Sequence, residues 1–125
     1  MFDSFGFKLR FLRARLKEVS GDFSGAATLL ERGDVPGQWQ SLRDMYRLRM
    51  LVLGSTPQEG ASALKTAERL SWYRAPASAG ERYAREYCIY ISAGIAGDVP
   101  ARLAAEQKLR SLSVRRIYRN SLPVV

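Results

Sequence analysis

The chain has 125 residues and a mass of 14.0 kDa, the size of one domain spanning 1–125, and 46% hydrophobic residues supply a single modest core. Twenty Lys and Arg against twelve Asp and Glu leave a net charge of +8 and a pI near 10.1. Histidine is absent and Cys88 is the only cysteine, which excludes His-based acid–base chemistry, Ser-His-Asp and Cys-His arrangements, a His/Cys zinc site and an intrachain disulfide.

Turn signals divide the chain into six segments of helical periodicity. They are Gly21-Asp22, Gly33-Asp34-Val35-Pro36-Gly37, Gly54-Ser55-Thr56-Pro57, Pro76-Ala77-Ser78-Ala79-Gly80 and Gly97-Asp98-Val99-Pro100. Four of the five begin with the glycine expected just past a helix end. Thr56-Pro57-Gln58-Glu59 and Ser78-Ala79-Gly80-Glu81 read as capping boxes, with a hydroxyl at the N-cap and a carboxylate three residues on. Gly-Asp-Val-Pro occurs twice, at 33–36 and 97–100, and reads more simply as a stop-and-restart signal than as duplication.

A first helix over about 4–19 carries Phe5, Leu9, Leu12, Leu16 and Val19 at alternating spacings of four and three, the pattern of one narrow buried stripe. A short second helix, about 23–32, buries Phe23, Ala26, Ala27 and Leu30, and a third, about 36–53, stacks Trp39, Leu42, Tyr46, Met50 and Leu53. The fourth, about 57–74, is alanine-rich and open to close approach. The fifth, about 79–96, has Tyr83, Tyr87, Cys88, Ile91 and Ile95, and a sixth begins near Val99 with Leu103, Leu109 and Leu112 and runs toward Arg119. No run alternates as a strand does. Links of two to six residues between successive helices predict antiparallel neighbours. The expected fold is therefore all-α: five or six helices as antiparallel hairpins, in an irregular bundle or a short α-solenoid-like stack.

Gly21-Asp22-Phe23, followed by Ala26 and Leu30, resembles the inter-helix turn and second helix of a tetratricopeptide repeat. Gly54 follows Gly21 by 33 residues, near that family's period, but Glu59 and Arg102 stand where its small residue belongs, and the next spacing is 43. The resemblance covers about residues 9–33 and implies helical hairpins and protein binding. Met45-Tyr46-Arg47 resembles the Leu-Tyr-Arg signature of small basic mitochondrial assembly factors that bind acyl carrier protein. Methionine replaces its leucine and the tripeptide lies mid-chain, so a core tyrosine beside a solvated arginine is the plainer reading.

All of the net charge belongs to the two ends: residues 1–20 carry +3, residues 100–125 carry +5, and the segment between balances nine cations with nine acids. Sixteen of the twenty cations are arginine, whose planar fork suits phosphate and carboxylate. Lys8, Arg10, Arg13, Arg15 and Lys17, with Arg102, Lys108, Arg110, Arg115, Arg116 and Arg119, form the candidate surface for a polyanion or an acidic protein. A solvated helix face explains the same charges equally well. Base readout has no support, because no helix-turn-helix, zinc-finger, RNP or KH pattern is present. Trp39, Trp72 and Tyr73 are candidate aromatic anchors, at the core or at an interface. Tyr83, Tyr87 and Tyr90 suit core packing better than base stacking.

The acids are mostly committed to capping and helix pairing. No metal-ligand spacing and no phosphate-cradling glycine loop appears, so no cofactor and no metal is expected. The start, MFDSFGFKLRFLRARLK, has the aromatic, arginine-rich look of a transit segment and lacks the long apolar core of a secretory signal. A lone thiol fits a reducing interior, cytoplasm or organelle matrix, and no stretch is long enough to span a membrane. The expectation is a non-enzymatic, basic, intracellular subunit or adaptor that binds partner proteins within a larger assembly through its arginine-rich terminal helices. The alternative is a sequence-independent binder of RNA or DNA backbone in a nucleoprotein complex. Peripheral membrane contact through Phe2, Phe5, Phe7 and Phe11 ranks third.

Overall fold

The computed structural model describes residues 3–31, 35–54 and 57–122. Among these the chain is all-helical and holds no strand. Its α-helices are α1 (Asp3–Val19), α2 (Phe23–Leu29), α3 (Gln40–Gly54), α4 (Pro57–Ala67), α5 (Ser71–Arg74), α6 (Ala79–Ala96), α7 (Val99–Ser111) and α8 (Arg116–Ser121), with a 3₁₀ turn at Gly37–Trp39. The helix boundaries follow local chemistry. Asp22 and Asp98 cap α2 and α7 by accepting from Gly25 N at 2.9 Å and Ala101 N at 3.1 Å. Ser78 Oγ accepts from Glu81 N at 3.1 Å, and Glu81 reaches back to Ala77 N at 2.7 Å, one residue before the cap. Gly97 closes α6 at φ 71°, a left-handed conformation that costs a residue with a Cβ. The box at Thr56-Pro57-Gln58-Glu59, together with Gly33 and Asp34, lies outside the described residues or side chains.

Two expected helices are each broken in two. The fourth ends in tightened bonds, Arg69 N to Thr66 O and Leu70 N to Ala67 O, and Leu70 is extended at ψ 147°. That break lets α5 turn Trp72 inward, where its indole N–H donates to Asp44 Oδ2 at 2.8 Å. The sixth breaks at Leu112, ψ 132°, and restarts after Arg115, ψ 149°. The returning α8 brings the Tyr118 hydroxyl 2.9 Å from Ser41 Oγ and places Leu122 O to accept from the Tyr83 hydroxyl at 3.1 Å. Both pairings lie in the buried interior, where an unmade hydrogen bond is costly.

Helices α3 and α6 form the centre. α1 packs on α2, α2 on α3, α3 on α4 and α6, and α6 also against α4, α5, α7 and α8. Leu42, Met45, Tyr46 and Met50 of α3 meet Tyr83, Ala84, Tyr87 and Cys88 of α6 in one continuous core. The tyrosines Tyr83 and Tyr87 are thus core residues, whereas Tyr90 is only partly buried. Tyr46 is likewise fully buried, and its neighbour Arg47 pairs with Glu31 at 3.1 Å.

The orientation of α1 corrects the expectation drawn from its seam. The residues turned inward are Phe7, Phe11 and Ala14, at 0%, 6% and 0% exposure. Phe5, Leu9, Leu12, Leu16 and Val19 face solvent, at 75%, 41%, 57%, 63% and 84%. Phe7 and Phe11 stack at 5.7 Å, and Phe11 meets the Tyr46 ring edge-on at 4.9 Å. Ala14 lets the backbone of α1 come close.

Candidate partner-binding surface

At 3.6 residues per turn the outward stripe and the inward set of α1 point roughly 150° apart. The helix is therefore apolar on two nearly opposite sides, whereas a helix at the edge of a globular domain ordinarily has one apolar face. Single exposed apolar residues need no explanation, but Phe5, three leucines and Val19 in register along one helix form a contiguous strip.

A polar network fixes which side faces out. Glu18 accepts the Tyr46 hydroxyl at 2.7 Å and Arg49 Nη1 at 2.8 Å, both from α3, and Arg15 lies 3.4 Å away on the same helix. Burial pushes the Glu18 carboxyl up, but the bonds from Arg49 and Tyr46 and the charges of Arg49 and Arg15 outweigh it and hold the group below its usual value. Burial and the bond to Glu18 raise the Tyr46 hydroxyl well above its usual value. Arg15 Nη1 also donates to Ser121 Oγ at 3.2 Å, so the two ends of the chain do meet, α1 against α8.

The eleven candidate cations divide by environment. Arg15, Lys17 and Arg110 are paired with Glu18, Asp22 and Glu106, at 3.4, 3.4 and 3.0 Å. Arg115 stacks 5.2 Å over Trp39, and Arg119 lies 6.0 Å over Tyr83 while donating to the Leu112 carbonyl. Arg10 and Arg102 are half-buried. Lys8, Arg13, Lys108 and Arg116 are exposed, Lys8 and Arg13 beside the apolar stripe of α1. The surface is thus split: α1 and α8 adjoin, while Arg102, Lys108 and Arg110 ride on α7, against α6.

Trp39 and Trp72, each 5% exposed, are core residues and present no free ring, and Tyr73 is partly buried with its ring 5.5 Å from the Arg85 guanidinium. Phe7 and Phe11, offered above for membrane contact, are also interior; Phe2 lies outside the described residues. The surface that the sequence misplaced is the stripe itself. A signal for it was present, because Phe7, Phe11 and Ala14 already supply a second apolar side.

The clefts carry less chemistry. One of about 600 Å³ lies between Trp39, Gly80, Glu81, Arg115 and Tyr118, and another of about 330 Å³ is lined by Glu68, Tyr73, Cys88 and Asp98. Burial pushes the Cys88 thiol up to about 12, which disfavours the nucleophilic thiolate. Among the described residues no group of three His, Cys, Asp or Glu side chains comes together as metal ligands, and no helix is long and apolar enough to cross a membrane.

Comparison of the chain with protein-family models, curated proteins and solved structures finds no match. The functional reading therefore rests on the residues themselves.

Proposed function

We propose that the protein is a small, basic, non-enzymatic helical subunit or adaptor that works by contact with a partner protein inside a larger assembly. Its helices pair in hairpins that carry α1 at the edge of the domain. The observation that supports this reading is the double apolar character of α1: one side is consumed by Phe7, Phe11 and Ala14, and the other leaves Phe5, Leu9, Leu12, Leu16 and Val19 in water. Burying that strip yields about 25 cal/mol per Å² of apolar surface, a gain the isolated chain does not collect. The cations at the ends of the chain add steering toward a negatively charged partner. An intracellular setting agrees with the unpaired Cys88.

Purification of the full-length protein from its native source tests this. A stoichiometric protein partner is the expected result. A lone monomer overturns the reading, and affinity for a nonspecific oligonucleotide that falls steeply with salt replaces it with nucleic-acid backbone binding.

A further inference from the structure

We infer that the outward stripe of α1 is the seat of an amphipathic helix from a partner protein, with Leu- or Ile-type residues at three- and four-residue spacing and Glu or Asp on both flanks. The inference rests on the contact function proposed above and names the partner's chemistry.

Three features on α1 lead to it. First, the stripe has coiled-coil spacing. Phe5, Leu12 and Val19 are seven apart, as are Leu9 and Leu16, and the row from Phe5 to Val19 runs about 21 Å at 1.5 Å per residue. A strict four-three row is the narrow seam one helix offers another, whereas a helix lying in a lipid interface presents a broader apolar face.

Second, both borders of the seam are cationic. Lys8 takes one flanking position and Arg13 the opposite flank; Arg15, a heptad after Lys8, shares its position but is engaged by Glu18 and Ser121. Among the described side chains of α1 the only carboxylate is Glu18, which is turned inward to Tyr46 and Arg49. Lys8 and Arg13 are exposed.

Third, this pattern rejects a second copy of the same helix. Aligned in parallel, two seams set Lys8 against Arg13; aligned antiparallel, they set Lys8 against Arg15 and Arg13 against Arg13. Gly6 and Ser20 also stand at flanking positions and carry no charge, but wherever two charged flanking residues meet they are alike, which is unfavourable in either orientation. Glutamates or aspartates at the facing positions convert each repulsion into attraction. The buried row supplies affinity and the flanks choose the partner.

The test uses the 125-residue chain and a three-heptad synthetic peptide with leucine at the seam and glutamate on both flanks, which repels itself and gains helicity only when paired. Its control carries lysine on both flanks. The expected result is binding of the glutamate peptide with a rise in helicity, and none of the lysine peptide. Leu12→Asp should weaken binding about tenfold or more, as loss of a central interface residue does. The double variant Lys8→Glu/Arg13→Glu should exchange the preference and bind the lysine peptide. Both changes fall on exposed side chains, and unchanged thermal unfolding shows that the fold is intact.

Equal binding of the two peptides, binding of neither, or binding indifferent to Leu12→Asp overturns the inference. So does adsorption to phosphatidylserine vesicles abolished by Leu12→Asp, which assigns the stripe to lipid, or a dimer abolished by the same change, which assigns it to a second copy. A stoichiometric native partner retained by the Leu12→Asp protein overturns this inference alone. A native protein without any partner overturns the contact function beneath it.

Discussion

The Tyr46 hydroxyl donates to Glu18 at 2.7 Å and so joins the last turn of α1 to the middle of α3. Arg49, one turn after Tyr46, donates to the other carboxylate oxygen at 2.8 Å. This clasp sets the rotation of α1 about its own axis, and that rotation decides which apolar side is left in water.

Glu18→Gln should lower stability at neutral pH by about 1–2 kcal/mol, the range for a partly solvated hydrogen bond to a charged group. The folded protein holds the Glu18 carboxyl below its usual value of 4.5, so the contribution is complete above that value and disappears as pH falls through the depressed one. Urea unfolding of the two proteins from neutral pH down to about 3 should show the gap closing in acid. A cycle with Tyr46→Phe should be non-additive, because Phe removes the bond that the neutral, single-oxygen amide of glutamine has already weakened.

The two sides of α1 should respond oppositely to alanine. Phe11→Ala removes a ring that is 6% exposed and should cost about 3–5 kcal/mol. Leu12→Ala, its neighbour at 57% exposure, should stay within about 0.5 kcal/mol of the parent. Thermal or urea unfolding measures both, and a reversed order would mean that α1 sits the other way round.

Gly80→Ala should destabilise the protein even though it lies in the first turn of α6. On helix propensity alone, alanine would gain about 1 kcal/mol over glycine. Here the added Cβ would sit 2.5 Å from Tyr118 Cζ, and moving that ring disturbs its 2.9 Å pairing with Ser41. The net result should be a loss of about 1–3 kcal/mol, read as a fall in Tm.

Cys88 should resist thiol reagents in the folded protein. Its side chain is 3% exposed, its sulfur lies 3.2 Å from Met45 Sδ, and burial pushes the thiol up to about 12, so thiolate is scarce at neutral or mildly alkaline pH. Titration with a chromogenic disulfide should give no prompt reaction until denaturant is added, and then one equivalent.

The sequence alone determined what depends on near neighbours in the chain. Helical periodicity gives the all-helical class, and Asp22, Asp98 and Ser78 cap helices through amides three residues on, so their role is readable from spacing. The seam of α1 and its flanking cations were equally legible, as was the gathering of charge at the two ends.

Only the tertiary structure decided how those parts face one another. Phe7 and Phe11 compete with Leu9, Leu12 and Leu16 for the core, and periodicity registers both rows without ranking them. The choice falls to groups far along the chain: Tyr46 and Arg49, which receive Glu18, and Ser121, which meets Arg15 across 106 residues. The same holds for the breaks at Leu70 and Leu112, whose benefit is delivered at Asp44 and Ser41, on another helix. Burial is a property of the whole packed assembly of helices, so a residue's own neighbours in sequence do not contain it.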